Sequence, residues 1–457
     1  MAVWSIVNFS QIPFDWRLDA EYFKPEYLKL DNLLSNANVE LWGNLKGKFI
    51  TGPFGSAFAV ENYVEHSPYR YVRGKDVKPF FLLEQDNAYI PKSAFQGLKK
   101  YSLFPEDLLV SVVGTLGNVA IVDEDVGQAI YSCKSTVYRS KSIDPYYLCT
   151  YLNSNIGQAY LQRKSRGAIQ AGLNLDDLYT IPIYIPEFEQ QREIRKLVIT
   201  SWEKLKISKT LYAEAEALLL HELGLNNLDL STQKSYVANF SETVESDRLD
   251  AEYYNPKYTV LINYLHNIPH SKLGYLASFS NGATPSGAKY LDKGKEIPFI
   301  RIQNVTKNRL DLDDVVYIDK KIHNGILKRS QLQPGDVLIT ITGRIGTAAV
   351  IPDSLLVANM NQHSVRLRIH NAQINPYYLS VFLNSKAGLL QTDREAYGAT
   401  RDALPYYCLE KIIIPIASLD LQKQVEVKIR EAEKTLQEAK TLLERAKYQV
   451  EQIILGG

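Results

Sequence analysis

The chain is written twice, and that constrains it more than any local motif. Arg17-Leu18-Asp19-Ala20-Glu21-Tyr22-Phe23 returns as Arg248-Leu249-Asp250-Ala251-Glu252-Tyr253-Tyr254, 231 residues later. The same displacement relates Asp144-Pro145-Tyr146-Tyr147-Leu148 to Asn375-Pro376-Tyr377-Tyr378-Leu379, and Leu152-Asn153-Ser154 to Leu383-Asn384-Ser385. Pro105-Glu106-Asp107-Leu108-Leu109 and Pro334-Gly335-Asp336-Val337-Leu338 lie 229 apart, as do Ile185-Pro186 and Ile414-Pro415, so small insertions shift the register inside a half. Residues 50 to 100 and 280 to 330 share little beyond Gly52, Pro53 and Gly55 against Gly282, Pro285 and Gly287, with an apolar strand after them. A duplicated frame with dissimilar interiors suits one task performed on two targets. Duplication without divergence of the task is the competing reading.

Within a half, short apolar runs at Val110–Val113 and Val119–Val122 flank Gly114-Thr115-Leu116-Gly117, and Val337–Thr342 and Ala348–Ile351 flank Gly343-Arg344-Ile345-Gly346. These predict strands around glycine turns, and Ile297–Ile302 is strand-like as well. Asp144-Pro145 and Asn375-Pro376 place a capping side chain before a proline suited to the first helical position, so a helix starts at each. Each half is therefore a mixed α/β unit, and the fold class is α+β.

A different kind of segment follows each half. Residues 187 to 223 and 417 to 455 are free of Pro and Gly and rich in Glu, Lys, Leu and Ala, which predicts long helices. Ile194, Val198, Ser201, Leu205, Ser208, Tyr212, Ala215 and Leu219 fall at alternating steps of four and three. Val425, Ile429, Ala432, Leu436, Ala439, Leu443, Ala446 and Val450 repeat the pattern 231 residues on. A sustained heptad is a coiled-coil signature. Small residues at every second core position let helix axes approach closely, and a shared pattern predicts that the two helices pair, antiparallel. From Ile194 to Leu219 such a helix is about 38 Å long at about 1.5 Å per residue, comparable to one turn of B-DNA at about 34 to 36 Å. A bundle completed by partner helices is the alternative, and it too makes the region an assembly surface.

Catalytic and metal chemistry find no support. Asp144-Pro145-Tyr146 and Asn375-Pro376-Tyr377 lack the second proline of an adenine-methyltransferase motif, and a helix cap explains them. The glycine turns have no following Gly-Lys-Ser, so they are not phosphate loops of the nucleotide-hydrolase type. His266 and His270 stand at a ligand-like interval, but Pro269 breaks helix geometry between them. Cys133, Cys149 and Cys408 are not closely spaced and read as buried thiols of a reducing cytosol. No stretch reaches the roughly 20 apolar residues of a membrane span, and no signal segment is recognisable, which predicts a cytoplasmic protein without a membrane partner. Net charge is +1, from 52 Lys and Arg against 51 Asp and Glu, so total charge neither announces nor excludes a nucleic-acid partner; local distribution decides.

Candidate DNA contacts come from two loop types. The glycine turns let backbone amides approach phosphate, with Arg344 adding a cation and Asn118 and Thr342 adding hydrogen bonds. Lys164 to Gln170 and Arg394 to Arg401 follow the capped helices, and Arg166, Gln170 and Arg401 have side chains suited to base edges or phosphates. Arg301, Gln303 and Asn304, with Arg73 and Lys75 in the first half, are further candidates, as are Lys46, Lys48, Ser280 and Asn281 beside the glycine-bearing loops. Ordinary solvated loops are the competing reading throughout.

With these features in order, twice, the chain resembles the specificity subunit (HsdS) family of type I restriction–modification enzymes. The resemblance rests on the Arg-Leu-Asp-Ala-Glu-Tyr blocks, Ile297-Pro298-Phe299-Ile300-Arg301, Pro334 to Leu338, the Gly-Arg-Ile-Gly turn at 343 to 346, Gly398-Ala399-Thr400, and Ile414-Pro415 before a long helix. It covers essentially the whole chain and implies two target-recognition domains, 1–186 and 225–417, each followed by a spacer helix, 187–224 and 418–457. It further implies a non-catalytic subunit that reads a bipartite site on double-stranded DNA. The paired helices would act as a ruler and dock two methyltransferase subunits, with translocase–endonuclease subunits joining. The resemblance leaves this subunit without cofactor or metal and assigns S-adenosylmethionine, ATP and Mg to the partners. A specificity module of a nuclease-free modification system, or a structural adaptor that binds no DNA, are the alternatives. The first half departs from the pattern, with Tyr69-Arg70-Tyr71-Val72-Arg73 for the Pro-Phe-Ile-Arg strand and Thr115-Leu116 for Arg344-Ile345, so different half-sites are expected.

Overall fold

A computed structural model describes residues 4–9, 12, 17–35, 37–53, 62–84, 86–167, 171–285, 290–291, 294, 296–397 and 403–456. The chain divides into two compact units, Met1–Lys204 with Glu438–Gly457, and Leu205–Gln437. Each unit contains one globular head and a stretch of each of two long helices, Phe188–Glu222 and Leu419–Gly456.

The first head is built on a four-stranded antiparallel sheet in the order Gly47–Thr51, Ser135–Ser140, Leu108–Ser111, Val119–Ile121. The second head repeats it as Ala277–Asn281, Ser364–Ile369, Val337–Thr340, Ala348–Val350. Leu108–Ser111 and Val337–Thr340 are buried at every position, as apolar strands covered on both faces must be. A second sheet packs on one face, three-stranded in the first head and four-stranded in the second. In the first head Tyr69–Val72 lies parallel to Gln128–Tyr131 and antiparallel to Ala88–Tyr89. In the second, Ile297–Ile300 lies parallel to Ala358–Met360 and antiparallel to Val316–Ile318. Val72, Leu109, Val137 and Tyr131 form the core between the sheets in the first head, and Ile300, Leu338 and Met360 do so in the second.

Helices cover the other face, and their starts follow the expected capping. Asp144 Oδ1 accepts the backbone N–H of Tyr146 and Tyr147 at 2.9 and 3.1 Å, which opens the helix Pro145–Asn153. Asn375 Oδ1 accepts those of Tyr377 and Tyr378 at 2.9 and 3.4 Å, opening Pro376–Asn384. Tyr147, Tyr377 and Tyr378 are core residues and Tyr146 is half-buried. One cysteine differs from expectation. Cys149 and Cys408 are buried, burial pushing the first thiol well up and the second to about 11, but Cys133 is exposed on a turn between strands. Its apolar sequence neighbours belong to the strands on either side, which bury themselves and leave the connecting turn outside.

Each long helix is anchored to its own head at its first turn. Gln191 Oε1 accepts the backbone N–H of Asp144 at 2.9 Å, and Gln422 Oε1 accepts that of Asn375 at 2.7 Å, two glutamines one repeat apart. The helices pair antiparallel inside each unit. In the first unit Ser201 Oγ donates to the Ala439 carbonyl at 2.9 Å, and in the second Ser208 Oγ donates to the Ala432 carbonyl at 2.7 Å. Seven residues up one helix correspond to seven residues down the other, which is the antiparallel register. A hydroxyl that reaches the partner's backbone requires close approach, and Ser201, Ala215, Ala432, Ala439 and Ala446 are fully buried to permit it. Ile194, Val198, Ser208, Leu219, Val425, Ile429 and Val450 are buried as well, and Leu205, Tyr212, Leu436 and Leu443 are half-buried, so every expected core position is covered. Lys204–Glu438 in the first unit and Lys428–Glu214 in the second, both 2.6 Å, flank the seam.

Candidate nucleic-acid interface

In each head, loops far apart in sequence meet at one end of the main sheet. The glycine turns come first. Gly114 and Gly117 have φ of +89° and +81°, Gly343 and Gly346 +65° and +81°, a region that side chains with a Cβ rarely adopt. The expected tight turns thus exist in both copies.

The second loop type closes onto the first. Arg166 and Gly172 exchange backbone hydrogen bonds of 2.9 and 2.8 Å, and Leu173 N–H donates to the Val112 carbonyl at 3.0 Å, beside the Gly114 turn. In the second head Tyr397 and Ala403 exchange bonds of 3.1 Å, and Leu404 N–H donates to the Ile341 carbonyl at 2.9 Å, beside the Gly343 turn. The two loop types singled out separately in the sequence are therefore neighbours in each head. Gln170 and Arg401 lie outside the described residues.

The repeated Arg-Leu-Asp-Ala-Glu-Tyr block secures the base of this second loop. Arg17 donates to the carbonyls of Arg163, Lys164 and Ser165 at 3.1 to 3.3 Å, capping the end of the helix Asn155–Lys164 from which the loop departs. Arg163 stacks on the Tyr22 ring at 4.3 Å, and Arg394 on Tyr253 at the same distance. Arg248, paired with Asp250 at 2.6 Å, reaches the Ala396 carbonyl at 3.5 Å.

A third turn adjoins these, and here most candidate cations are answered internally. Thr115 Oγ1 donates to the Gly74 carbonyl at 3.2 Å and Asn118 Nδ2 to the Val77 carbonyl at 2.9 Å, joining residues 73–77 to the glycine turn. Arg73 pairs with buried Asp76 at 2.9 Å and Lys75 with Asp86 at 2.7 Å; the Lys75 ammonium holds the Asp86 carboxyl below the usual carboxylate range. In the second head Asp314 gathers Arg301 at 3.2 Å, Gln303 at 2.8 Å and Asn304 at 2.7 Å. Arg166 pairs with buried Asp177 at 2.8 Å. These side chains shape the loops as well as presenting charge. Arg344 is exposed, with one guanidinium nitrogen 3.5 Å from the Val305 carbonyl.

The remaining candidates divide by position. Asn281 is exposed and Ser280 half-buried at the end of a strand that runs into Gly282, on the side of the turns, although Ser280 Oγ donates to the Arg329 carbonyl at 2.7 Å. Lys46 and Lys48 are exposed at the opposite end of the equivalent strand, so the sheet does not bring them to the turns.

A fourth turn completes the cluster and carries no sequence signal, having no glycine and no basic run. It is Ser132-Cys133-Lys134 in the first head and Asn361-Gln362-His363 in the second. Lys134 O accepts the Val112 N–H and His363 O the Ile341 N–H, both at 3.0 Å, on the residues that also bind the second loop. Among the described residues no group of His, Cys, Asp and Glu could hold a metal ion, and no helix is long and apolar enough to cross a membrane.

The chain is similar to known proteins. The family model for the type I restriction modification DNA specificity domain matches residues 69–217 and 268–445, once in each half. The type I restriction enzyme EcoBI specificity subunit of Escherichia coli is 32% identical over 101 residues, covering 22% of this chain. That match spans only about a fifth, 21%, of the relative's length. The type I restriction–modification S subunit from M. genitalium aligns at 14% identity and a TM-score of 0.42, covering 92% of this chain and 96% of that one. The HsdS subunit from Thermoanaerobacter tengcongensis aligns at 14% identity and a TM-score of 0.30, covering 90% and 98%.

Proposed function

Because this chain belongs to the type I restriction–modification DNA specificity family, we propose that it is the subunit that reads a bipartite sequence on double-stranded DNA, one half-target per head, and that it carries no catalytic centre. On this reading the chemistry resides in partners. Two methyltransferase subunits modify adenine at N6 with S-adenosylmethionine, and translocase–endonuclease subunits use ATP and Mg to cleave, all in the cytoplasm.

The observation that carries the reading is the clustering of glycine turn, closing loop and flanking turns at one end of two matching sheets, with different side chains on the two copies. Backbone amides and exposed Arg344 suit phosphate contact, and variable loop side chains suit base edges. The antiparallel seam supports a ruler role for the helices, whose length would set the number of unread base pairs between half-targets.

Mapping of methylated adenines in host DNA tests the reading. A split adenine-methylation motif that disappears when this gene is deleted is the expected result; an unchanged methylome on deletion overturns it. Inserting seven residues after Ala215, with a matched insertion at Val425, should lengthen the unread gap and keep both half-sequences, and an unchanged gap refutes the ruler.

A further inference from the structure

We infer that the fourth turn, Ser132-Cys133-Lys134 in the first head and Asn361-Gln362-His363 in the second, is a base-reading element whose side chains set part of each half-target. The inference rests on the DNA-reading function proposed above and goes beyond it by assigning specificity to residues that none of the sequence motifs mark.

The backbone of this turn is the same in both heads, bond for bond. Ser132 N–H donates to the Val72 carbonyl at 3.0 Å, and Asn361 N–H to the Ile300 carbonyl at 3.1 Å. Ser135 N–H returns to Ser132 O at 3.2 Å, and Ser364 N–H to Asn361 O at 3.4 Å. The first side chain closes an equivalent turn each time, Ser132 Oγ accepting the Lys134 N–H at 3.4 Å and Asn361 Oδ1 accepting the His363 N–H at 3.3 Å. Even the clearance is shared. A Cβ on Gly52 would stand 2.2 Å from the Ser132 carbonyl oxygen, and one on Gly282 would stand 1.8 Å from that of Asn361, so a glycine is needed beside the turn in both copies.

The side chains that this fixed backbone presents differ in chemistry. Cys133 and Lys134 are exposed in the first head; Gln362 is exposed and His363 half-buried in the second. In the second head, neighbours hold them in place. Thr284 Oγ1 donates to Gln362 Oε1, leaving the amide nitrogen without a hydrogen bond among the described residues, and Thr342 Oγ1 lies 2.9 Å from His363 Nδ1, leaving Nε2 as the ring's other polar atom. Thr342 therefore acts as a positioning residue for His363. A glutamine amide offers a donor and an acceptor that match adenine N7 and N6 in the major groove, whereas a lysine offers donors alone, which match guanine O6 and N7. A rigid frame with exchanged polar side chains is what two readers of different sequences require. A purely structural turn has no need to change them.

The test transplants one turn into the other head, in the full chain with its methyltransferase partners. N361S/Q362C/H363K should weaken binding to the original target by about 10- to 100-fold, as expected for losing one good base contact, and should change methylated-site selection in the half-target of the second head only. The other half-target serves as the internal control. If the triple variant does not fold, Gln362→Ala, a change at an exposed position, should relax selection at a single base pair of the same half-target. Independently, Cys133 is the one exposed cysteine of the three, so cognate DNA should protect it from alkylation by a maleimide while a duplex scrambled in the first half-target should not. A folded transplant with unchanged selection and affinity, or equal alkylation of Cys133 with and without cognate DNA, overturns the assignment while leaving the DNA-reading function intact. Absence of any sequence-selective binding by the parent complex overturns both together.

Discussion

Glu433 is a carboxyl in an unsuitable place, and its removal should change how stability depends on pH. One repeat earlier the equivalent position is Trp202, whose ring lies 4.6 Å from Phe81, an apolar contact between long helix and head. In the second unit Glu433 occupies that position, and burial, opposed by Arg430 and Arg309 and reinforced by Asp353, pushes its carboxyl up to about 7 from 4.5. Tyr212 on the other long helix and Tyr377 on the head complete the surroundings, both phenols pushed up by burial first and by Glu433 next. The sign follows from comparing the two states. Between pH 4.5 and about 7 the unfolded chain loses this proton and the folded one keeps it, so raising pH favours unfolding across that window and has no further effect above it. At 1.36 kcal/mol per unit the contribution is at most about 3 kcal/mol, and about 1 to 2 kcal/mol after allowing for the solvent-facing part of the side chain. Glu433→Gln should therefore leave stability near pH 4.5 almost unchanged and raise it at pH 8 by that amount. Urea unfolding of parent and variant at matched pH values isolates this group, because other titrations cancel in the difference. A parent-to-variant difference that stays constant from pH 4.5 to 8 would refute the reasoning.

Other perturbations follow from the same geometry. Ser201→Ala should cost about 1 kcal/mol for the lost interhelical hydrogen bond, and Ser201→Leu about 1 to 3 kcal/mol more through overpacking at a fully buried seam position; equal unfolding midpoints for parent and Leu variant would exclude close approach at this seam. Gly282→Ala places a Cβ 1.8 Å from a backbone oxygen, whereas at Gly97 an added Cβ meets nothing within 4 Å, so thermal unfolding should fall for the first substitution and not for Gly97→Ala. Arg344→Ala should weaken DNA binding about evenly across sequences and lower the salt dependence by about one counterion; an unaltered slope of affinity against salt would remove the phosphate role of that turn.

Where the chain's own periodicity carried the signal, structure follows sequence closely. The two heads, the capped helices at Asp144 and Asn375, the glycine turns and the heptad seam are local or repeated patterns; the caps and turns are enforced by chain neighbours, and the seam by a heptad that each helix carries along its own length. The candidate interface was only partly legible. The glycine turns and the loops after Lys164 and Arg394 were found through their backbone freedom and charge. The carboxylates that engage the candidate cations were not, because Asp86 and Asp177 each stand 11 residues from Lys75 and Arg166, and only folding brings them together. Asp76 stands only three residues from Arg73, yet its burial beneath the guanidinium has no local mark either. The fourth turn has no composition to betray it at all.

Two similar units and two long heptad-bearing helices were legible from the chain alone, because duplication, capping and heptad spacing act through nearest neighbours and through a period that survives any tertiary context; that the helices pair with each other came from the structure. Tertiary structure alone decided which polar side chains remain available on each head. That depends on which strand ends meet, and strand pairing joins residues far apart in the chain through backbone hydrogen bonds that carry no mark of side-chain identity.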